Sequence, residues 1–322
     1  MSTSGITRRS LLRLSLGLPP LALAPVAIAG CNNSMPAQVN IAAGERGGMY
    51  FEFATLLADA LVRFGIAKSS RVIETEASVQ NLHMLASGQA QLSLALADTV
   101  AEYREELNAG GPTALGRIYQ NYFHCIVRAD EKIHTLNDLQ GRRIGTGAAG
   151  SGTWVTGQRI LNQSQLNTSR HAPHELKLGY IDGLAALEDR AIDALFLFGG
   201  MPVRAVAELA RRIDLRLLNM DEVLTGLRGR YPGLYDPVEI PAGTYARVPE
   251  SSSIGVANLL MAPGNMGNEL VGKIVKMIVG HAQELIPRET AGMQFLSPQT
   301  LISTSGQPLH PGAIAAYRQL HG

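Results

Sequence analysis

The feature that most constrains this chain is an alternation of short apolar runs with amphipathic ones, which runs once, stops and starts again. "QVNIAAG" (residues 38–44) reads as a strand and "MYFEFATLLADALVRFG" (49–65) as a helix closed near Gly65. "SRVIETEA" (70–77) reads as a strand. "SVQNLHMLASG" (78–88) reads as a helix, with Ser78 as N-cap and Gly88 just past its C-terminus. "AQLSLALAD" (90–98) is a continuous apolar strand. A βαβαβ rhythm of this kind predicts a parallel, doubly wound sheet.

After the Gly/Pro-rich "NAGGPTALG" (108–116), "YFHCIVRAD" (122–130) reads as a strand and the rhythm restarts. "DLQGRRIGTG" leads into a helix from Ser151, "HELKLGYID" (174–182) reads as a strand, "GLAALEDRA" as a helix and "IDALFLFGG" (192–200) as a strand. "LASGQAQLSLAL" and "LEDRAIDALFLF" echo each other as helix end, tight turn and buried strand. The second half then passes through the Pro/Gly-rich "RGRYPGLYDPVEIPAGTYARVPESSS". "IGVANLLMAPG" (254–264) returns as a strand, "NELVGKIVKMIVGHAQELI" is helical and a looser tail follows. The expectation is two α/β lobes, the first made of residues 38–123 and 255–322 and the second of residues 124–254.

The first thirty residues stand apart. Paired Arg8 and Arg9, an apolar stretch broken by Pro19, Pro20 and Pro25, and small residues before Cys31 give the order of an export signal. The stretch is a poor spanning helix. "TRRSLLR" resembles the twin-arginine export motif, and "IAGC" (28–31) resembles a lipobox in which Cys31 becomes the lipidated first residue. Residues 31–37 then form a tether, and the membrane is met through the lipid alone. Loss of Arg8, Arg9 and Arg13 takes the formal charge from +1 to −2. No basic patch suggests nucleic acid. With only 2 cysteines, lipidation of Cys31 leaves Cys125 in "FHCIV" as a lone thiol, expected to be buried and inert.

In an open α/β sheet, ligands sit at the carboxyl ends of strands, close to helix N-termini. Five such places are visible: residues 42–51, 75–81, 96–99 ending in Asp98 and Thr99, 147–154, and 198–202 with Gly199 and Gly200. Glycines let backbone N–H groups approach a ligand, and Ser or Thr at a helix start adds a hydroxyl. Together they favour an anion such as a carboxylate. Ser151 could equally serve only to cap its helix.

"GTGAAG" (145–150) has the dinucleotide spacing, but it follows a complete βαβαβ unit, and the next candidate strand ends at Asp182, farther on than a ribose-binding acid stands. The P-loop fails because Thr153 and Trp154 follow Gly152. The nucleophile elbow fails because Ala149 and Thr153 flank Ser151. His171 and His174 frame a solvated loop, and Glu105, Glu106, Arg211 and Arg212 read as solvated helix faces. No catalytic or metal-ligating constellation is visible.

Five blocks, "IAAGERGGMYFEFATLLADAL", "TEASVQNLHMLASGQAQLSLALAD", "IVRADEKIHTLNDLQGRRIGTGAAGSGTWVTGQRIL", "IDALFLFGGMPVRAVAELA" and "IPAGTY", resemble in order the TAXI family, the extracytoplasmic solute receptors of one class of TRAP transporter. The resemblance implies a type II periplasmic-binding-protein fold, with two doubly wound lobes and a ligand cleft between them. It implies capture of a small anionic solute, a glutamate-like amino acid or a dicarboxylate, and delivery to a TRAP permease, with no cofactor and no chemistry on the ligand. By position, the binding blocks fall on Gly44, Met49 and Tyr50, on Ser78 and Asn81, on Gly150, Ser151, Gly152 and Thr153, and on Phe198, Gly199 and Gly200. Glu45, Arg46 and Met49 stand where the family has small residues. Arg46 could clamp a carboxylate or point to solvent. The alternative is a twin-arginine-exported oxidoreductase holding a cofactor on the GTGAAG loop.

Overall fold

The computed structural model describes residue 1 and residues 35–104, 111–287 and 296–321. The export signal, Cys31, Glu105 and Glu106 lie outside the described residues.

The first rhythm folds as β1 (Val39–Ala42), α1 (Met49–Arg63), β2 (Ser70–Ile73), α2 (Ser78–Ala86), β3 (Leu92–Leu96) and α3 (Ala97–Tyr103). A long strand β4 (Thr113–Arg128) leads into β5 (Arg143–Gly145), α4 (Gly152–Gln163), β6 (His174–Leu176), α5 (Tyr180–Glu188), β7 (Ala194–Gly199), α6 (Arg204–Arg212) and β8 (Leu215–Leu217). Then come α7 (Asp221–Arg230), β9 (Asp236–Ile240), a second long strand β10 (Ser251–Ala262), α8 (Asn268–Gly280), α9 (Pro298–Leu301) and α10 (Pro311–His321).

The sheet order is β2-β1-β3-β10-β4-β7-β5-β6, with β8 on β4 and β9 on β10. β1 pairs in parallel with β2 and β3, and β5 in parallel with β6 and β7. Both long strands change partner midway. β4 runs antiparallel to β10 from Thr113 to Tyr122, then to β7 from Tyr122 to Val127. β10 pairs with β9 as far as Gly255, then with β4 and β3. Each half is therefore a parallel sheet closed by a crossing antiparallel strand, and two chain segments join the halves. This is the two-lobed type II periplasmic-binding-protein fold.

The apolar faces explain the layers. One cluster buries Phe53, Leu57 and Leu61 of α1 with Ile274 and Ile278 of α8 and Ala313 of α10. A second buries Leu184 and Leu187 of α5 with Val206 and Leu209 of α6. A third is continuous across both lobes, from Leu82 of α2 to Ile160 of α4 and Leu227 of α7. Each fully buried Leu or Ile contributes about 1.5–3 kcal/mol. Cys125 lies within this third cluster, and burial pushes its thiol well above the ordinary range, as an inert thiol requires.

Several expectations are corrected. "HELKLGYID" is a strand only over His174–Leu176; Tyr180 begins α5, because Gly183, Leu184 and Leu187 follow a helical period onto β7. The strand expected from Tyr122 begins at Thr113, its added half hydrogen-bonded to β10. The Pro/Gly-rich passage carries the end of α7 and all of β9, where Pro237 is tolerated because β9 has β10 as its one partner. Residues 311–321 of the loose tail form α10, held by Tyr317 Oη donating to Leu115 O at 2.7 Å. Ser78 is the first helical residue of α2 and not its N-cap. Asp98 and Thr99 lie within α3, which starts directly after β3.

Candidate functional site

The carboxyl ends of β1, β3, β5 and β7 converge between the lobes on a cavity of about 670 Å³, open solvent at its mouth included. The first lobe supplies the loop into α1 (Gly44, Glu45, Gly48, Met49, Tyr50), the start of α2 (Glu76, Ala77, Ser78) and Leu96. The second supplies the loop into α4 (Gly147, Ala148, Ser151, Gly152, Thr153), Tyr180 and the end of β7 (Phe196, Phe198, Gly199), and Asn121 of β4 lies at the back. A neighbouring space of about 500 Å³ shares Met49, Tyr180, Phe198 and Gly199 and adds Glu52, Gly200 and Arg204.

The loop into α4 is shaped by glycine. Gly147 has φ +93°, and a Cβ there would come within 2.8 Å of Ser151 Oγ and Thr153 Cβ. Ser151 caps α4 by accepting from Trp154 N at 3.1 Å. The amides of Gly152 and Thr153 and the Thr153 hydroxyl make no hydrogen bond among the described residues, so they are free to meet a solute. The Gly150 carbonyl accepts from Val79 N at 3.0 Å and Gln80 N at 3.3 Å, so the second lobe occupies the N-terminus of α2. Gly150 thus holds the lobes together and is not on the cavity wall.

On the first lobe, Tyr50 Oη lies 3.3 Å from Ser78 Oγ, which also accepts from Leu96 N at 3.1 Å. The Tyr50 ring meets Tyr119 edge-on at 6.4 Å, and burial pushes the Tyr50 hydroxyl well above its ordinary range. Both side chains are thereby fixed on the wall. Asn121 is only 3% exposed, and its side chain makes no hydrogen bond among the described residues. Sequence reading missed it because it lies mid-strand in β4, away from any strand end.

Other expected residues lie elsewhere. The Asn81 side chain is buried, donating to Ala43 O and to Leu94 O at 2.8 Å, and accepting from Thr75 Oγ1 at 2.6 Å. It ties α2 to β1 and β3, behind the wall. Asp98 and Thr99 are fully buried. Asp98 Oδ2 accepts from Thr156 Oγ1 of α4 at 2.5 Å and from Tyr235 Oη at 3.0 Å, with Arg159 Nη1 4.0 Å away. Burial raises the Asp98 pKa, although Arg159 and the two hydroxyls pull it down. The Asp98 carboxylate thus fastens α3 to α4 across the lobes. Arg46 is exposed, pairs with Glu74 at 2.9 Å and lies over the Phe51 ring, so the structure does not bring it to the cavity as a clamp.

The cavity charge follows. Among the described residues its charged lining is Glu45 and Glu76, with no Lys or Arg. Partial positive charge comes from the free amides at the start of α4. The arrangement can hold a carboxylate against those amides and a cationic group against Glu76.

With this geometry in place, the similarities become interpretable. Residues 41–319 match the NMT1-like family, covering the strands, helices and loops that build the cavity. The chain belongs to the NMT1-like family. Solved structures resemble this NMT1-like chain at low identity. XAC2383 from Xanthomonas citri, bound to ATP, is 14% identical with a TM-score of 0.50, covering 88% of this chain and 95% of that one. The periplasmic aliphatic sulphonate binding protein SsuA from Escherichia coli is 15% identical with a TM-score of 0.46, covering 88% and 83%. A mutant of ArgBP from T. maritima is 12% identical with a TM-score of 0.49, covering 77% and 92%. The first likeness is one of fold alone, and the two weaker ones add nothing to it.

Proposed function

We propose that this chain is an extracytoplasmic solute receptor of the TAXI kind. In this reading it is exported by its twin-arginine-like signal, tethered through lipid on Cys31, and delivers a small solute to a TRAP permease. The observation that carries the reading is the cavity between two α/β lobes, walled by strand-end loops of both lobes and reached by free amides of α4. The moving bodies are residues 38–123 with 255–322, and residues 124–254, turning about β4 and β10.

Within the anionic solutes, the lining favours a glutamate-like amino acid over a dicarboxylate. An amino acid places its α-carboxylate on the Gly152 and Thr153 amides and its ammonium toward Glu76, and that ammonium offsets the side-chain carboxylate of a glutamate. The second carboxylate of a dicarboxylate would instead face Glu45 and Glu76 with no ammonium to offset it and no Lys or Arg among the described residues of the wall. Calorimetric titration with L-glutamate, L-glutamine and succinate tests this. The expected result is one saturable site per chain with the amino acids ahead of succinate. Equal or tighter succinate binding would reverse the solute assignment, and absence of binding to every member of the panel would remove the ground for the receptor reading.

A further inference from the structure

Helix α5 begins in the second lobe without a side-chain cap of its own: its N-cap residue is Gly179, which offers none. The missing partner comes from the other lobe. The Glu45 carboxylate, in the loop between β1 and α1, accepts from Tyr180 N at 3.2 Å, with the Ile181 amide close by. Tyr180 Oη returns the contact, donating to Arg46 O at 3.2 Å. These bonds cross the cleft.

Gly179 supports the same conclusion independently. Its φ of −58° and ψ of 164° suit any residue, so the backbone does not call for glycine. A Cβ at this position would stand 2.4 Å from Glu45 Oε1, so a larger residue would push that carboxylate off the start of α5. Glu45 also borders two spaces at once, the main cavity and an outer one of about 770 Å³ lined by Lys177, Gly179 and Asp182. Its side chain stands between them.

We infer that Glu45 and the Gly179–Ile181 start of α5 form a clasp across the mouth of the cleft, which holds the lobes closed and must open for solute to enter or leave. This rests on the two-lobed receptor reading. The clasp works through the carboxylate oxygen as an acceptor, more than through its charge. Burial raises the Glu45 pKa above the ordinary carboxylate value, Glu76 and Asp182 face it and push the same way, and the α5 amides oppose them. Tyr180 adjoins it and is itself pushed up to about 12. Lys177 lines the outer space on the other side. A group whose pKa is higher in the closed form than in water binds its proton more tightly when closed, so closure is strengthened as pH falls through that raised pKa and weakened above it.

The amides of Tyr180 and Ile181 belong to the first turn of α5, where helix amides have no partner within the helix. Their exchange with solvent therefore reports the clasp directly. Hydrogen exchange at these amides is measured in the full chain and in Glu45→Ala, Glu45→Gln and Gly179→Ala, each as isolated and again with L-glutamate added. Slow exchange is expected in the wild type and in Glu45→Gln, which keeps the acceptor. Exchange about tenfold faster is expected in Glu45→Ala and Gly179→Ala, with no further gain when these two are combined. Equal rates in all of the proteins under both conditions, or additive effects of the two changes, would overturn the clasp. The readout needs no bound solute, so it fails or succeeds separately from the receptor reading.

Discussion

Ser151 and Thr153 stand two residues apart at the head of α4 and do different work. The Ser151 hydroxyl is spent on Trp154 N at 3.1 Å, and the residue is 7% exposed. Ser151→Ala therefore removes a helix cap, at a cost of about 1 kcal/mol, which for a chain of this size is a fall of roughly 1.5 °C in melting temperature. The Thr153 hydroxyl has no hydrogen bond among the described residues and lines the cavity. If it donates to a solute carboxylate, Thr153→Ala loses a charge-assisted bond of roughly 1.5–3 kcal/mol, about ten- to a hundredfold in Kd, with little change in melting. Thermal melting and calorimetric titration with L-glutamate separate the two effects. Unchanged affinity in Thr153→Ala, or a large loss of affinity in Ser151→Ala at unchanged melting temperature, would refute this division of labour.

Other outcomes follow from the same contacts. Asp98→Ala removes the buried acceptor of Thr156 and Tyr235, while Arg159 keeps Glu102, and should cost about 2–3 kcal/mol in urea unfolding; a loss below about 1 kcal/mol would mean that the Asp98 bonds do not fasten α3 to α4. Burial holds His124 down to about 4, with Nε2 2.8 Å from Tyr245 Oη. The folded form thus binds a proton less readily than the unfolded chain, so its stability is intact above pH 6.5 and falls by about 1.4 kcal/mol per unit between there and pH 4. His124→Gln should flatten that slope in urea titrations run at several pH values, and an unaltered slope would assign it to other groups. Cys31→Ser should move the exported protein from the membrane to the soluble fraction on cell fractionation; retention in the membrane would require a different anchor. Small-angle scattering of Glu45→Ala, which lacks the clasp, should show a smaller radius of gyration with saturating solute than without it, and no change despite binding would argue against turning about β4 and β10.

What could be read from sequence was whatever local chemistry decides. The alternation of runs placed β1 to β3, and Gly65 and Gly88 marked the ends of α1 and α2, with φ values of +65° and +74°. The loops of residues 44–50 and 147–153 were legible as candidate walls because glycines and hydroxyls at strand ends have few other uses. What was not legible depends on partners distant in the chain. Tyr180 looked like strand because the carboxylate that caps its helix comes from Glu45, 135 residues earlier. Asp98 looked like a ligand contact because nothing local shows that Thr156 and Tyr235 will close over it. The first half of β4 hid behind Gly111, Pro112 and Gly116, and with it Asn121, whose place in the cavity depends on where β4 crosses between lobes.

The most direct test of the receptor reading is native mass spectrometry of the full chain, freshly purified and again after incubation with L-glutamate. A single small-solute adduct per chain is expected, carried through purification or gained on incubation, and weakened in Thr153→Ala. A chain that carries no adduct in either condition, or one that carries a dinucleotide mass, would contradict the receptor reading.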